Sequence, residues 1–497
     1  MTLSQLSYHL EKHVLGSRGE LERPLSGACH DSREVEPGDL YIALKGERWN
    51  GHDFLAEALA RGASGALVEG VGNLSRVPPD MPALAVDHAR SVMATVATLV
   101  YDRPAGSVDL LGVTGTNGKT STCYFLDSIA RAAGRASGLF TTLEIRDPSG
   151  RSLEAGRTTP EATVIQKWLR HMVDRGAQQV AMEVSSHAVD WGRIEGCEFA
   201  GLLFTNLTQD HLDWHGSIEA YFESKARLFT RALFKREDCV GGVNVDDPYG
   251  RQLLGRADCR VVTFAMDSPA DVRAHDVRLS LHGTNMELEV NGDRSPVRLH
   301  LLGRFAAWNA LAAATLAHAR GESLDAIVRG LEDLRAVPGR LELVSRGSEP
   351  RVLVDYAHTP DSLRSVLQSV REFCPGRLLC VFGCGGDRDR TKRPLMGAAV
   401  AEGADVAYVT SDNPRSEDPE AILDMIAPGL AGAACTRIAD RRAAIFEAIA
   451  EARPDDVVVI AGKGHETYQE ARGQRVHFDD REVAREALDA CRGGEPS

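Results

Sequence analysis

The sequence predicts an α/β protein of three domains, and two observations lead to this fold class. At 497 residues the chain is too long for one hydrophobic core, because single cores stop growing near roughly 250 to 300 residues. Short apolar runs, typical of buried strands, alternate with helical patterns along the whole length. We expect a small N-terminal α/β domain (1–103), a central parallel-sheet domain (104–337) and a C-terminal Rossmann-like α/β domain (338–497).

The strands are predicted from apolar runs that end in polar or glycine-rich turns. In the first domain these runs are 40–44, 65–68 and 83–86. In the central domain they are 108–113, 179–184, 201–205 and 240–245, with helical patterns at 119–133 and 305–319. Residues 337–339, Val-Pro-Gly, form the predicted hinge, after which strands follow at 352–356, 378–382, 406–410 and 457–461.

Charge and cysteine content exclude several classes of protein. The formal charge of −14 argues against a nucleic-acid partner, which requires a basic surface. The ten cysteines are scattered, without the spacing of a zinc or redox pair, and indicate reduced thiols. The N-terminus lacks the apolar stretch of a signal peptide, and no run of 18 apolar residues follows. We expect a cytoplasmic protein without membrane insertion.

Residues 112–120, Gly-Val-Thr-Gly-Thr-Asn-Gly-Lys-Thr, join a buried strand to a helix start. Backbone amides and the helix N-terminus of such a P-loop face phosphates, Lys119 can reach the β and γ groups of ATP, and Thr120 can hold Mg²⁺. The strict phosphate-loop pattern fails, since its first glycine would fall at Val113. The alternative is a glycine turn followed by an unrelated lysine.

Two further strand ends carry carboxylates and imidazoles. Glu183 lies at the end of the run 179–184 and His187 follows it, while Asp210, His211 and His215 follow the run 201–205. Carboxylate oxygens with an occasional imidazole suit Mg²⁺. Singly, each side chain fits a helix cap or a surface position equally well, but together beside a phosphate loop they predict a metal site.

The loop sequence Gly-Thr-Asn-Gly-Lys-Thr resembles that of the Mur ligases, amide-forming enzymes related to folylpolyglutamate synthases, and the resemblance extends over nearly the whole chain. It implies an ATP-dependent ligase with catalytic Lys119, Lys225 and His211. It also implies magnesium held by Thr120, Glu183, His211 and Lys225, the lysine carrying CO₂ as a carbamate. The ATP-binding residues it implies are Gly115, Thr116, Asn117, Gly118, Lys119, Thr120, Asn309, Arg340 and Asp355.

The resemblance also implies a site for a nucleotide-linked muramoyl dipeptide. Its residues would be Ser32, in the uridine-binding first domain, with Thr158, Thr159, Ser185 and Arg193. The family usually has glutamine two residues before that arginine, whereas this chain has Trp191. The hydrogen bond of that glutamine is therefore expected to be missing.

Four polar segments of the third domain, 353–360, 382–389, 412–415 and 462–466, each follow an apolar strand. Their motifs resemble those of the Mur ligases that add meso-diaminopimelate to the peptide precursor of the bacterial cell wall. The resemblance assigns the following residues to that diamino acid: Arg388, Asp412, Asn413, Pro414, Arg415, Gly462 and Glu466.

The resemblance implies small-molecule substrates (ATP, the UDP-linked muramoyl dipeptide and meso-diaminopimelate) and a role in cell-wall biogenesis, cell shape and division. We expect a monomer. A lysine-adding ligase remains an alternative, disfavoured by Arg415, and so does a folate-polyglutamylating ligase, disfavoured by the uridine-type first domain. A P-loop ATPase or kinase would hydrolyse ATP or phosphorylate a metabolite without an amino acid. A non-catalytic scaffold is disfavoured by Lys119, Glu183, His211 and Lys225.

Overall fold

A computed structural model describes residues 1–46, 49–345 and 350–492. The chain packs into two compact units. The first contains residues 1–272 and 312–330, and the second contains residues 273–311 and those from 331 onward. The two units are described separately below.

The first unit begins with a five-stranded sheet in the order β1-β5-β4-β3-β2. Strands β2 to β5 are parallel, and β1 joins as an antiparallel edge. The strands are β1 (Val14–Arg18), β2 (Gly27–Cys29), β3 (Asp39–Ile42), β4 (Gly65–Glu69) and β5 (Ala83–Val86); the helices are α1 (Leu3–His9), α2 (Leu55–Ala60) and α3 (Ala89–Val100). The three predicted strands are confirmed, whereas β1 and β2 were not predicted.

A second sheet of the first unit runs in the order β13-β12-β11-β6-β10-β7-β8-β9. It is parallel from β13 to β7 and ends in antiparallel β8 and β9. The strands are β6 (Asp109–Thr114), β7 (Ser137–Phe140), β8 (Glu144–Arg146), β9 (Ser152–Glu154), β10 (Gln179–Glu183), β11 (Phe199–Phe204), β12 (Val240–Asn244) and β13 (Arg260–Ala265). Since β10 and β11 flank β6 on opposite sides, the carboxyl end of β6 is the switch point where such sheets bind ligands.

The helices of this region cover the parallel sheet because parallel strands need both faces buried. They are α4 (Lys119–Ala132), α5 (Ala162–Asp174), α6 (Ser186–Asp190), α7 (Leu212–His215), α8 (Ile218–Ala226), α9 (Arg231–Phe234) and α10 (Pro248–Leu254). Two further helices, α11 (Arg304–Ala319) and α12 (Leu324–Asp333), contain the points where the chain passes between units. The helices predicted at 119–133 and 305–319 are confirmed as α4 and α11.

Three strands, β14 (Val272–Ser280), β15 (Gly283–Val290) and β16 (Asp293–Leu299), follow one another as sheet neighbours. β15 and β16 pair antiparallel. No strand was predicted here, because one face of each strand is solvated and the alternating polar residues leave no apolar run.

The second unit contains a six-stranded sheet in the order β17-β18-β22-β19-β20-β21, parallel except for β17. Its four central strands are those predicted. The strands are β17 (Glu342–Leu343), β18 (Arg351–Asp355), β19 (Leu378–Phe382), β20 (Val406–Val409), β21 (Cys435–Arg437) and β22 (Val457–Ala461), followed by a hairpin of β23 (Tyr468–Ala471) and β24 (Gln474–His477). The helices are α13 (Pro360–Arg371), α14 (Lys392–Gly403), α15 (Pro419–Ile426), α16 (Arg441–Glu451) and α17 (Asp480–Arg492).

The predicted α/β class with parallel sheets is confirmed. In each of the three larger sheets, the strands that were predicted all lie within a single predicted domain. The domain boundaries themselves stay predictions. In the described ranges, no helix combines the length and the hydropathy that crossing a bilayer requires.

Candidate active site

The phosphate loop follows β6 at the switch point of the first unit. Gly115 has φ +146°, and a Cβ there would lie 2.0 Å from Thr205 Oγ1, so only glycine fits. The Asn117 amide donates to Asn206 Oδ1 at 3.0 Å, and Gly118, with φ +86°, precedes the first residue of α4. The loop is thus tied to the end of β11, and the helix N-terminus behind it favours a bound anion.

Lys119 and Thr120, the first residues of α4, take the positions that the motif predicted. The Lys119 Nζ donates to the carbonyls of Gly115 (3.1 Å) and Thr116 (2.9 Å), so the amine lies over the loop. The Thr120 hydroxyl donates to Glu183 Oε1 at 2.8 Å, and both side chains are buried. The structure therefore brings together one loop hydroxyl and the carboxylate that ends β10.

Glu183 has a further partner that the sequence analysis missed. The Thr142 amide donates to Glu183 Oε1 (2.7 Å) and its hydroxyl to Oε2 (3.2 Å). That hydroxyl also lies 3.1 Å from Thr158 Oγ1, which connects the carboxylate to the predicted dipeptide residues. The available signal was the Thr-Thr pair directly after the apolar run of β7, the same strand-end pattern that singled out Glu183.

Lys225, on α8, is 1% exposed, and its Nζ donates to the Gly115 carbonyl at 2.9 Å. The same amine lies 4.6 Å from the centre of the Tyr221 ring. Among the described residues it has no carboxylate partner, and burial holds the pKa of this amine well below its ordinary value, since a charge in an apolar interior is disfavoured. This buried lysine therefore touches the phosphate loop from a helix far along the chain.

His211 has a left-handed backbone (φ +53°) directly before α7. Its ring lies 4.8 Å from that of His187 and 6.0 Å from that of Tyr221, centre to centre. Burial lowers the pKa of its imidazole, while Asp210 acts in the opposite direction. A neutral imidazole can bind a metal ion. Through Tyr221, whose hydroxyl is 3.3 Å from Thr116 Oγ1, His211 is connected to the loop.

The residues predicted to hold the dipeptide form one cluster. Thr159 Oγ1 donates to the Glu183 carbonyl (2.9 Å) and accepts from the Ser185 amide (3.0 Å). Arg193 Nη1 donates to the Thr159 carbonyl at 3.2 Å. With Thr158 joined through Thr142, four predicted residues thus lie around the end of β10.

Glu161, a buried carboxylate, was missed by the sequence analysis. It pairs with three arginines, Arg90 (3.2 Å), Arg157 (2.8 Å) and Arg193 (3.2 Å), which leaves two surplus positive charges beside the dipeptide cluster. Such a surplus attracts an anionic substrate. No sequence pattern marks this group, because Arg90 is 71 residues away from Glu161.

Trp191, which replaces the usual glutamine, takes part in an aromatic stack. Its ring lies 5.6 Å from that of Trp214, with 26° between the planes, and the Arg90 guanidinium lies 4.9 Å above it. A cation over an indole face is a favourable contact. Trp191 therefore provides a surface for packing at a position where a glutamine would offer a hydrogen bond.

Ser32 lies in a short helical turn (Ser32–Glu34) of the first sheet's domain and is buried. Its hydroxyl donates to Glu57 Oε2 at 3.0 Å. Since that contact fixes the hydroxyl proton, the oxygen lone pairs remain available to accept from a ligand.

In the second unit, Asp355 ends β18, and its carboxylate accepts from the amides of Leu341 and Ala357, both at 2.8 Å. Burial raises the pKa of this carboxyl, with Arg340 acting in the opposite direction. The Arg340 guanidinium lies 5.1 Å from the centre of the Tyr356 ring. The structure thus brings Asp355 and Arg340 together, whereas Asn309 lies on α11, half-buried.

The loops that follow β19 and β20 are hydrogen-bonded to each other. The Gly386 amide donates to the Asn413 carbonyl (2.9 Å), and Arg415 Nη1 donates to the Gly386 carbonyl (2.7 Å). Arg415 has φ +52°, a conformation that is rare for a long side chain. Arg388, on the first of the two loops, is exposed and makes no ion pair within the described part of the chain. Two guanidinium groups therefore project from one pair of loops.

The loop after β22 carries Gly462 and Glu466. Gly462 has φ +119°, and a Cβ there would lie 2.6 Å from Asp412 Oδ2, so a larger residue would displace that carboxylate. Glu466 Oε2 accepts from Asn413 Nδ2 at 2.8 Å, and Pro414 is buried beside Asn413. All the residues predicted to hold the diamino acid thus lie at the carboxyl ends of neighbouring parallel strands, where open α/β sheets bind ligands.

Comparison with family models gives three matches that cover most of the chain. The Mur ligase middle domain matches residues 113–317, the glutamate ligase domain of Mur ligases matches 339–464, and the model described as the Mur ligase family catalytic domain matches 25–101. The chain belongs to the Mur ligase family. The predicted resemblance is therefore confirmed at the level of the family.

Among curated Mur ligases, the UDP-N-acetylmuramoyl-L-alanyl-D-glutamate–2,6-diaminopimelate ligase of Gloeobacter violaceus is 45% identical, over 98% of this chain and 99% of its own length. The ligase of the same name from a Synechococcus strain is 46% identical, over 92% and 93%. A solved structure of a ligase with this name is 34% identical, covers 97% of this chain and 98% of its own, and has a TM-score of 0.66.

Proposed function

We propose that this Mur ligase joins meso-2,6-diaminopimelate to UDP-N-acetylmuramoyl-L-alanyl-D-glutamate, with ATP as the driving substrate. The observation that carries the proposal is the group of strand-end loops in the second unit. It places Arg388, Arg415, Asn413 and Glu466 at one edge of a parallel sheet. Two guanidinium groups beside an amide and a carboxylate suit an amino acid with an additional carboxylate. Ligases of that name are 45% and 46% identical to this chain.

The reaction starts with activation of the dipeptide's terminal carboxylate. Its oxygen attacks the γ-phosphorus of ATP, ADP leaves, and an acyl phosphate results. The amine of the amino acid then attacks the acyl carbon, the amide bond forms, and phosphate and a proton are released. Lys119 and the loop amides would stabilise the charge on the transferred phosphoryl group, so this step depends on positioning and electrostatics.

The side chains around Glu183 suit Mg²⁺, because the Thr120 hydroxyl and the carboxylate are hard oxygen donors that lie 2.8 Å apart. His211 would add an imidazole. The described residues contain no group of three or more His, Cys, Asp or Glu that could hold a metal ion. The family resemblance adds one further oxygen donor, a carbamate. When bound, Mg²⁺ would supply positive charge to the phosphates.

A carbamate on Lys225 would be that donor. A neutral amine attacks CO₂, loses one proton and becomes an anionic group with two oxygens. Lys225 suits this role because it is buried, contacts the phosphate loop at Gly115 and lacks a carboxylate partner among the described residues. The charge that the carbamate brings would complement Mg²⁺.

The remaining assignments complete the proposal. Thr158, Thr159, Ser185 and Arg193 would hold the dipeptide, Ser32 the uridine nucleotide, and Asn309, Arg340 and Asp355 would serve ATP. We place the enzyme in the cytoplasm as a monomer, in peptidoglycan synthesis and thus in cell-wall biogenesis, cell shape and division.

A phosphate-release assay with substrate omissions tests this function. We expect phosphate only when ATP, the uridine-linked muramoyl dipeptide and meso-diaminopimelate are all present, and far less when L-lysine replaces the diamino acid. Release with ATP alone would identify an ATPase, and no release under any condition would identify a scaffold. Equal rates with L-lysine would contradict the assignment of the amino acid.

Ser32→Ala is expected to raise the KM for the dipeptide precursor by about 3- to 10-fold and to leave kcat nearly unchanged. One hydrogen bond made equally in ground and transition states contributes on the order of 0.5 to 1.5 kcal/mol. Ser26→Ala, the same exchange at an exposed serine, is the matched control. A tenfold fall in kcat at constant KM would instead place Ser32 near the chemistry.

A further inference from the structure

A buried lysine that the proposed function leaves without a role lies between two residues assigned to the amino acid. The side chain of Lys463 is 0% exposed. Its Nζ donates to Asn413 Oδ1 and to Glu466 Oε2, both at 3.1 Å, and lies 5.4 Å from the centre of the Tyr468 ring. The ammonium group therefore bridges the loop after β20 and the loop after β22.

These contacts fix the orientation of the side-chain amide of Asn413. Its Oδ1 accepts from Lys463 and from the Glu470 amide (2.9 Å), while its Nδ2 donates to Glu466 Oε2 (2.8 Å). All three side chains thus form a closed triangle of hydrogen bonds. Glu466 contributes only Oε2 to it, and no described residue bonds its Oε1.

The triangle leaves one carboxylate oxygen of Glu466 for a ligand. The Glu466 side chain remains 20% exposed, unlike that of Lys463. A carboxylate oxygen fixed in this way can accept from the ammonium group of an amino acid. Removal of Lys463 would leave Glu466 free to rotate and would leave Asn413 Oδ1 with a single donor.

Burial of a lysine is costly for stability, since an apolar side chain of equal volume is often tolerated as well or better. A purely structural role would therefore not require this cation. We propose that Lys463 is a positioning residue, which orients Asn413 and Glu466 to receive the ammonium end of the amino-acid substrate. This inference rests on the proposed function and assigns a role to a residue outside the predicted site.

Lys463→Met removes the charge and keeps most of the volume. We expect the KM for meso-diaminopimelate to rise tenfold or more, while the KM values for ATP and for the precursor change less than twofold and kcat falls less than fivefold. Lys463→Gln, which retains an N–H donor, should give an intermediate increase and serves as a second variant if the methionine variant folds poorly.

Arg377→Met is the matched control for a lost ion pair. Arg377 bonds Asp456 at the amino ends of β19 and β22, at the opposite edge of the sheet from the triangle. Its variant should lower the melting temperature without a change in the KM for the amino acid. An equal rise of that KM in Arg377→Met would show that general destabilisation causes the effect.

A double-mutant cycle with Glu466→Gln completes the test, because residues that act through one another are not additive. The double variant Lys463→Met/Glu466→Gln should raise the KM no further than Glu466→Gln alone. An unchanged KM in Lys463→Met, or fully additive effects, would overturn the positioning role. A failure of the proposed function is distinguishable, since the unmodified enzyme would then release phosphate without regard to the diamino acid.

Discussion

Lys225→Ala is expected to lower the kcat of ligation by about 10²- to 10³-fold or more, the effect of removing one charged group that stabilises the transition state. The variant loses the amine that contacts the Gly115 carbonyl and with it the proposed carbamate. Short-chain carboxylates should partly restore activity, because formate or acetate can occupy the space that the lysine leaves and supply the missing oxygens.

Two controls separate this role from general damage to the loop. Lys119→Ala should lose as much activity without rescue by carboxylates, since its role needs a cation. Lys167→Ala, at a partly exposed lysine on α5, should retain activity. Carbon NMR with ¹³C-bicarbonate gives a readout independent of turnover: a carbamate resonance should appear in the unmodified protein and be absent from Lys225→Ala. Full activity of Lys225→Ala in bicarbonate-free buffer would refute the carbamate.

The sequence predicted the longer, buried parallel strands because each reads as a continuous apolar run. It missed four parallel strands: β2 and β7 are short, and β13 and β21 are partly exposed. The sequence also located the phosphate loop and Glu183, because polar residues at the end of an apolar run are easily recognised. The antiparallel strands β14 to β16 escaped prediction because their apolar and polar residues alternate, and β1 because its partly exposed residues form no such run.

Contacts between distant segments could not be predicted from single motifs. The pairing of Arg90 with Glu161 and the contact of Lys463 with Asn413 join residues 71 and 50 positions apart. Nothing in either local sequence specifies the partner. Packing of α3 against α5 brings Arg90 to Glu161, and the strand order of the second unit's sheet brings Lys463 to Asn413. The role of Lys225 was implied by family resemblance alone, and its contact with Gly115, 110 residues away, is visible only in the structure.

Arg415 is the residue expected to select the amino acid. Its backbone has φ +52°, which costs about 1 to 2 kcal/mol for a residue other than glycine, and strain of this kind concentrates at functional positions. Arg415 Nη1 donates to the Gly386 carbonyl at 2.7 Å, and no carboxylate of the described residues forms an ion pair with it. Because the guanidinium is held by a neutral oxygen, its remaining N–H groups can bind a carboxylate of the substrate.

Arg415→Ala should therefore lose most activity with meso-diaminopimelate while the KM for ATP stays nearly constant. Lysine lacks the second carboxylate, so with lysine the unmodified pocket holds an uncompensated cation. That costs about 2 to 5 kcal/mol, or roughly 30- to several-thousand-fold in kcat/KM. Removing the cation should bring the two substrates close together in kcat/KM, because diaminopimelate loses its ion pair and lysine no longer meets an unpaired cation. Arg371→Ala, at an arginine paired with Asp405 near the amino end of β19, should keep the original ratio. If Arg415→Ala keeps the original ratio of kcat/KM between diaminopimelate and lysine, another cation binds the far carboxylate. Arg388 on the facing loop is then the residue to replace next.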